Sequence, residues 1–260
     1  MRPTLLIAAI LLLWSADPAW AAASAAQDAA ALGAKLVAQG NAEAAVAAYE
    51  KAAELDPKNS VIHHQLGEAY GLAAQQAGTF ARIGWAKKTR LAYEKAVELD
   101  PKNLAARQSL MSFYQMAPGM MGGGMDKAHA QAAEIQGLDP ARGRVATAIL
   151  YIGEKKYDEA RAEIDEVLRT EPENYAALFQ TGRLAALTGE QLDRGEQALK
   201  KCLTLTSTPG APGHDAAHWR LGNIHEKKGD KTAARTAYEA SLKVNPKFQQ
   251  AIDALAKLKN

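Results

Sequence analysis

The chain has 260 residues, 48% of them hydrophobic and 23% charged, with 31 Lys and Arg against 29 Asp and Glu for a formal charge of +2. A charge this nearly balanced, with no basic block, argues against nucleic acid as the main partner. The single cysteine, Cys202, excludes an internal disulfide and reads as a small buried hydrophobe, which leaves stability to helix packing.

The first residues read as an export signal. Arg2 precedes an apolar run from Leu5 to Trp14, and Asp17-Pro18 leads into the small-x-small end Ala19-Trp20-Ala21. This predicts a signal peptide over 1–21, cleaved after Ala21. The alternative is an uncleaved anchor, although the run falls short of the ~18 residues that a spanning helix needs. No Cys lies near the cleavage position, so a lipid anchor is not expected, and no twin-Arg pair is present. The Ala-rich style reads as bacterial, with the periplasm or the outside of the cell as destination. No second apolar stretch follows, so the mature chain 22–260 is expected to be soluble, without stable membrane insertion.

Beyond the leader the chain repeats itself. Residues 48–59 read AYEKAAELDPKN and residues 92–103 read AYEKAVELDPKN, while 237–248 give a looser AYEASLKVNPKF. In each copy Pro ends a helical pattern, because it cannot continue a helix and pushes the preceding residue out of the α region. Asn59, Asn103 and Asn174 follow Pro57, Pro101 and Pro172 by two residues and are placed to accept from the first amides of the next helix. Reading back from Pro57 gives Leu32-Gly33, Leu36, Gly40, Ala45, Tyr49 and Ala52; from Pro246 it gives Leu221-Gly222, His225, Gly229, Ala234, Tyr238 and Ser241. The unit is a helix–turn–helix of 34 residues, with small residues where two helices cross.

This pattern of Leu-Gly, Tyr, Ala, an aromatic, Ala and Pro resembles the tetratricopeptide repeat. The resemblance implies an all-α, right-handed superhelical solenoid of about six units, at 26–59, 60–103, 104–140, 141–174, 175–214 and 215–248, with a capping helix over 249–259. Units one, two and six match best, whereas three and five are degenerate. Such a fold implies a surface for a partner and says little about activity.

Three segments depart from the repeat. The two near-identical copies start 44 residues apart, so ten extra residues fall within Ala73 to Arg90. The expectation is that both helices of unit two lengthen and that Phe80, Ile83 and Trp85 pack on one another; the alternative is an exposed aromatic tip that docks a partner. Ala117 to Lys127 contains Gly119, Met120, Met121, Gly122, Gly123, Gly124 and Met125. Its glycines lack the Walker spacing, since Met125-Asp126 stand where Lys and a hydroxyl are needed. This reads as a lengthened turn whose Met120 and Met121 offer an adaptable apolar contact. His214, His218 and His225 recur at spacings of four and seven, which would allow a metal; packing against the neighbouring helix is the preferred reading.

The resemblance also locates a groove, lined by the first helix of each unit. Mapped onto this chain it comprises His64, Glu68, Gln108, Phe179, Gln180, Arg183, Trp219, Arg220 and Asn223. Two Arg beside an Asn and two aromatics suit an extended peptide or its carboxylate, since Arg forks match carboxylate geometry. The family's chaperone-tail clamp is not expected, because Ala30 and Ala34 occupy its Lys and Asn positions. A second contact is assigned to Phe80, Trp85, Met120 and Met121. No Ser/His/Asp or Cys/His set carries a local signature, so no catalytic residue and no cofactor are assigned. The expected function is a non-catalytic scaffold or adaptor in the bacterial cell envelope that binds a protein or peptide and no nucleic acid. The alternatives are a periplasmic metal- or small-ligand-binding protein using the three histidines, or a non-catalytic subunit of an envelope enzyme complex.

Overall fold

A computed structural model describes residues 18–208 and 210–258. The apolar leader from Leu5 to Trp14 lies outside them. Among the described residues every regular element is helical, with thirteen α-helices and one 3-10 turn. They divide into two compact lobes, one ending at Pro101 and the other starting at Lys102. The first holds α1 (Pro18–Ala38), α2 (Ala42–Leu55), α3 (Ser60–Gln76) and α4 (Thr79–Leu99). The second holds α5 (Leu104–Met116), α6 (Met125–Leu138), α7 (Pro140–Gly153), α8 (Tyr157–Thr170), α9 (Tyr175–Thr188), α10 (Leu192–Cys202), α11 (His214–Lys227), α12 (Lys231–Val244) and α13 (Gln249–Leu258). Within each lobe, successive helices pack on their chain neighbours.

The joins form as the sequence dictates. The Asn59 side chain accepts from the amides of Val61 and Ile62, at 3.1 and 3.2 Å. Asn103 accepts from Ala106 and Asn174 from Ala177, each at 3.0 Å. Every cap satisfies a donor that the new helix would leave without an intrahelical partner.

Close Gly–aromatic contacts set the crossing within a pair. A methyl on Gly33, Gly67 or Gly222 would lie 2.7, 2.4 or 2.2 Å from the ring of Tyr49, Tyr93 or Tyr238, so each ring lies against bare helix backbone. In the fifth unit Leu199 takes the place of the ring, 2.2 Å from a methyl on Gly182. Tyr49, Tyr93 and Tyr238 are buried, and the Tyr93 and Tyr238 hydroxyls reach Glu68 and Glu226 at the edge.

The ten extra residues of unit two fall between Gly67 and Tyr93, in helices of 17 and 21 residues joined by Ala77-Gly78. Seven of the other helices have 14 residues. Lengthening both partners extends the hairpin while preserving the Gly–Tyr crossing. The expected packing of the aromatic segment holds only for Trp85, which joins the core and lies 5.8 Å from the Tyr70 ring. Phe80 is 92% exposed and Ile83 42%. The reason is Arg82, which takes the side of α4 that meets α3 and donates to the carbonyls of Ala74 and Ala77.

The glycine-rich turn is closed on itself. The amides of Gly122, Gly123 and Gly124 donate to the carbonyls of Gly119, Pro118 and Tyr114, and a methyl on Gly123 would strike the Ala117 carbonyl. These donors are consumed internally and do not form a phosphate cradle. Met120 is exposed and Met121 half-buried. At the C-terminal end α13 sits where a capping helix is expected, with Ala251 in the cluster of Tyr238, Trp219 and Phe248. Cys202 is fully buried, and burial pushes its thiol up to about 12.

Candidate functional site

In the second lobe α9 and α11 are the first helices of successive pairs and pack directly on each other. Arg183 lies on α9, one turn after Gln180, and its Nη1 donates to Gln180 Oε1 at 3.3 Å. Arg220 lies on α11 with its guanidinium 4.1 Å from the centre of the Trp219 ring. Trp219 is held in turn by Phe248, at 5.9 Å in an edge-on arrangement. The indole therefore forms a fixed platform for Arg220.

Both arginines are drawn partly out of water. Burial holds the Arg183 guanidinium below its ordinary value. Arg220 is pushed down to about 10, by burial first and then by the positive charge of Arg183. They remain cationic at neutral pH, so two like charges share one desolvated face. Six other arginines of this lobe meet a carboxylate: Arg107, Arg142, Arg144, Arg161, Arg169 and Arg194. Arg183, Arg220 and Arg235 meet none among the described residues, and the charge of Arg183 acts on Arg220. The Arg220 Nε is buried without a hydrogen-bond partner. Desolvated, mutually repelling cations with an unused donor are receptive to an anion.

The other groove residues are distributed as follows. Asn223 is tied to the Tyr238 hydroxyl at 2.8 Å, beside Glu226. Phe179 corrects the expectation: it is 3% exposed and belongs to the core, so it supports α9 from behind. Gln180 is as deeply buried, yet it borders a cleft that Gln108 of α5 also lines. His64 and Glu68 belong to the first lobe, where they face each other at 3.4 Å and Glu68 accepts from the Tyr93 hydroxyl.

Among the described residues no group of three His, Cys, Asp or Glu is placed to hold a metal ion. His214 Nε2 bonds the Leu205 carbonyl at 2.9 Å, and its ring packs on Tyr175. Burial, and then His214, lower the His218 imidazole. His214 is thus engaged in packing the loop before α11. One feature escaped the sequence reading: the eleven-residue connection 203–213 between α10 and α11, whose Gly210, Ala211 and Pro212 wall the cleft beside Gln108. Its only sequence signal is that unit five is six residues too long.

Three family profiles match: "TPR repeat" over residues 33–72, and "Tetratricopeptide repeat" over 145–212 and again over 215–248. No curated protein matches the sequence. Among solved structures the chain is similar to yeast Tom70, at 16% identity and a TM-score of 0.68, over 94% of this chain and 48% of that one. It thus spans about half of the Tom70 chain. It is also similar to Pseudomonas aeruginosa pilF, at 16% identity and a TM-score of 0.55, over 91% of this chain and 99% of that one. A tetratricopeptide repeat protein of Parabacteroides merdae gives 15% identity and a TM-score of 0.54, with 91% and 100% covered.

Proposed function

Because this chain belongs to the tetratricopeptide repeat family, a fold of protein-interaction scaffolds, we propose that it is a non-catalytic adaptor of the bacterial cell envelope. On this reading it holds a protein partner on the face shared by α9 and α11, through an extended segment that carries acidic side chains. The observation that carries the reading is the Arg183–Arg220 pair, desolvated and without a carboxylate among the described residues. An acidic group placed between them relieves their repulsion and occupies donors that water reaches poorly. Hydrogen bonds of that charged kind each contribute ~1.5–3 kcal/mol net. Trp219 keeps Arg220 flat, so little side-chain freedom remains to be lost on binding.

A titration with blocked hexaglutamate, against hexaglutamine and hexalysine, tests the chemistry. Binding of hexaglutamate alone, weakened by salt and absent from Arg183→Glu/Arg220→Glu, is the expected result. Equal binding of hexaglutamate by the variant would remove the arginines from the site. The export half of the proposal rests on Arg2, the apolar run and Ala19-Trp20-Ala21. N-terminal sequencing of protein recovered from its native cell should find Ala22 first, and a chain retaining residues 1–21 would contradict it.

A further inference from the structure

Gln180 borders two features at once. Its Oε1 accepts from Arg183 while its side chain lines a partly open cleft of about 100 Å³. Three first helices and the loop before α11 build this cleft. Leu104 of α5, Val145 and Ile149 of α7 and Ile135 of α6 make it apolar, and Ala211 and Pro212 close one side. Gln108 and Gln180 line it as well, with Arg142, Asn174 and Thr208. No hydrogen bond from the amide nitrogen of either glutamine is made among the described residues, so each retains a donor. An apolar lining with a few polar groups at the rim describes a site for a side chain whose own backbone stays near the surface.

We propose that this cleft receives one aliphatic side chain of the partner, adjacent to the acidic group held by Arg183 and Arg220. The inference rests on the reading of the arginine face given above and adds a second determinant to it. Size selects the class, because an apolar cavity of ~150 Å³ admits benzene and this one is smaller. A short aliphatic side chain such as Leu, Ile or Val suits this volume and lining. The loop wall is held from both ends, by Tyr175 Oη donating to the Pro212 carbonyl at 2.8 Å and by His214 on Leu205. The cleft is therefore a built feature of the fold. Continuity through Gln180 makes the partner's recognised element a short pair, an aliphatic residue next to an acidic one.

The test uses the full chain and three blocked peptides: acetyl-Leu-Asp-Leu-amide, acetyl-Gly-Asp-Gly-amide and acetyl-Leu-Asn-Leu-amide. Leucine on both sides makes the outcome independent of peptide direction. Chemical-shift titration should show the first binding about tenfold tighter than the second, with shifts at the Gln108 and Gln180 side-chain amides. Ala176→Phe, which fills the cleft from α9, should remove that advantage and leave the glycine peptide's binding unchanged. If this variant does not fold, Ala211→Phe in the loop serves the same purpose. Equal affinities for the leucine and glycine peptides, with shifts confined to Arg183 and Arg220, would overturn the cleft while the arginine reading stands. Equal binding of the Asp and Asn peptides, with the leucine preference intact, would overturn the arginine reading and keep the cleft. No binding by any of the three would overturn both.

Discussion

Gly222 and Tyr238 meet so closely that a single methyl on the glycine would lie 2.2 Å from the tyrosine ring. Tyr238 is fully buried, and its ring is backed by Ala234 and Ala251 of the same cluster, so it has nowhere to retreat. Gly222→Leu should therefore pry α11 from α12 and destabilise the last pair by ~1–3 kcal/mol. Thermal melting together with hydrogen exchange in those two helices measures this. Unchanged protection would contradict the crossing.

The lengthened hairpin makes a prediction with two arms. Trp85 is half-buried and stacks near Tyr70, whereas Phe80 projects into solvent. Trp85→Ala should cost about 1–3 kcal/mol, less than a fully buried aromatic. Phe80→Ser should fall within ~0.5 kcal/mol of the parent. Denaturant midpoints of the two variants decide the matter, and a reversed order would place the wrong side chain in the core.

An ion-pair network at the start of α10 predicts a pH dependence. Hydrogen bonds from Lys200 and Lys228 hold the Glu196 carboxyl at about 2, below its ordinary 4.5. A depressed carboxylate contributes stability that is present above about 4.5 and disappears as pH falls through about 2. Lys228→Ala should thus destabilise by on the order of 1 kcal/mol at pH 7, with the difference shrinking as pH drops through that window. A difference independent of pH would assign Lys228 a role in packing instead.

Local chemistry explains which parts of this structure could be read from the sequence. Asn59, Asn103 and Asn174 bond amides two or three residues ahead, so the signal and its effect lie within one turn. The glycines that face Tyr49, Tyr93 and Tyr238 fall at fixed places in the repeat, which makes the crossings legible as well. Phe179 shows where a positional rule fails. It stands four residues before Arg183, on the same side of α9 by helical spacing, yet its ring packs into the core cluster that holds Leu221 and Ile224 of α11. The cleft was hidden for another reason: its walls come from α5, α6, α7, α9 and a loop. Loop length is visible in a sequence, but the direction in which the loop folds is not. Likewise, the fate of Phe80 depended on Arg82 reaching α3 first.

The measurement that bears most directly on the account is capture of partners from native envelope extract, with wild type beside Arg183→Glu/Arg220→Glu. Both proteins should show the same helicity, since neither arginine makes an ion pair among the described residues, and the comparison is made well below the melting temperature of the variant. The account predicts a protein held by wild type, released by added salt and absent from the variant lane. The same proteins retained in both lanes, at equal amounts, would contradict it and move the partner surface away from α9 and α11.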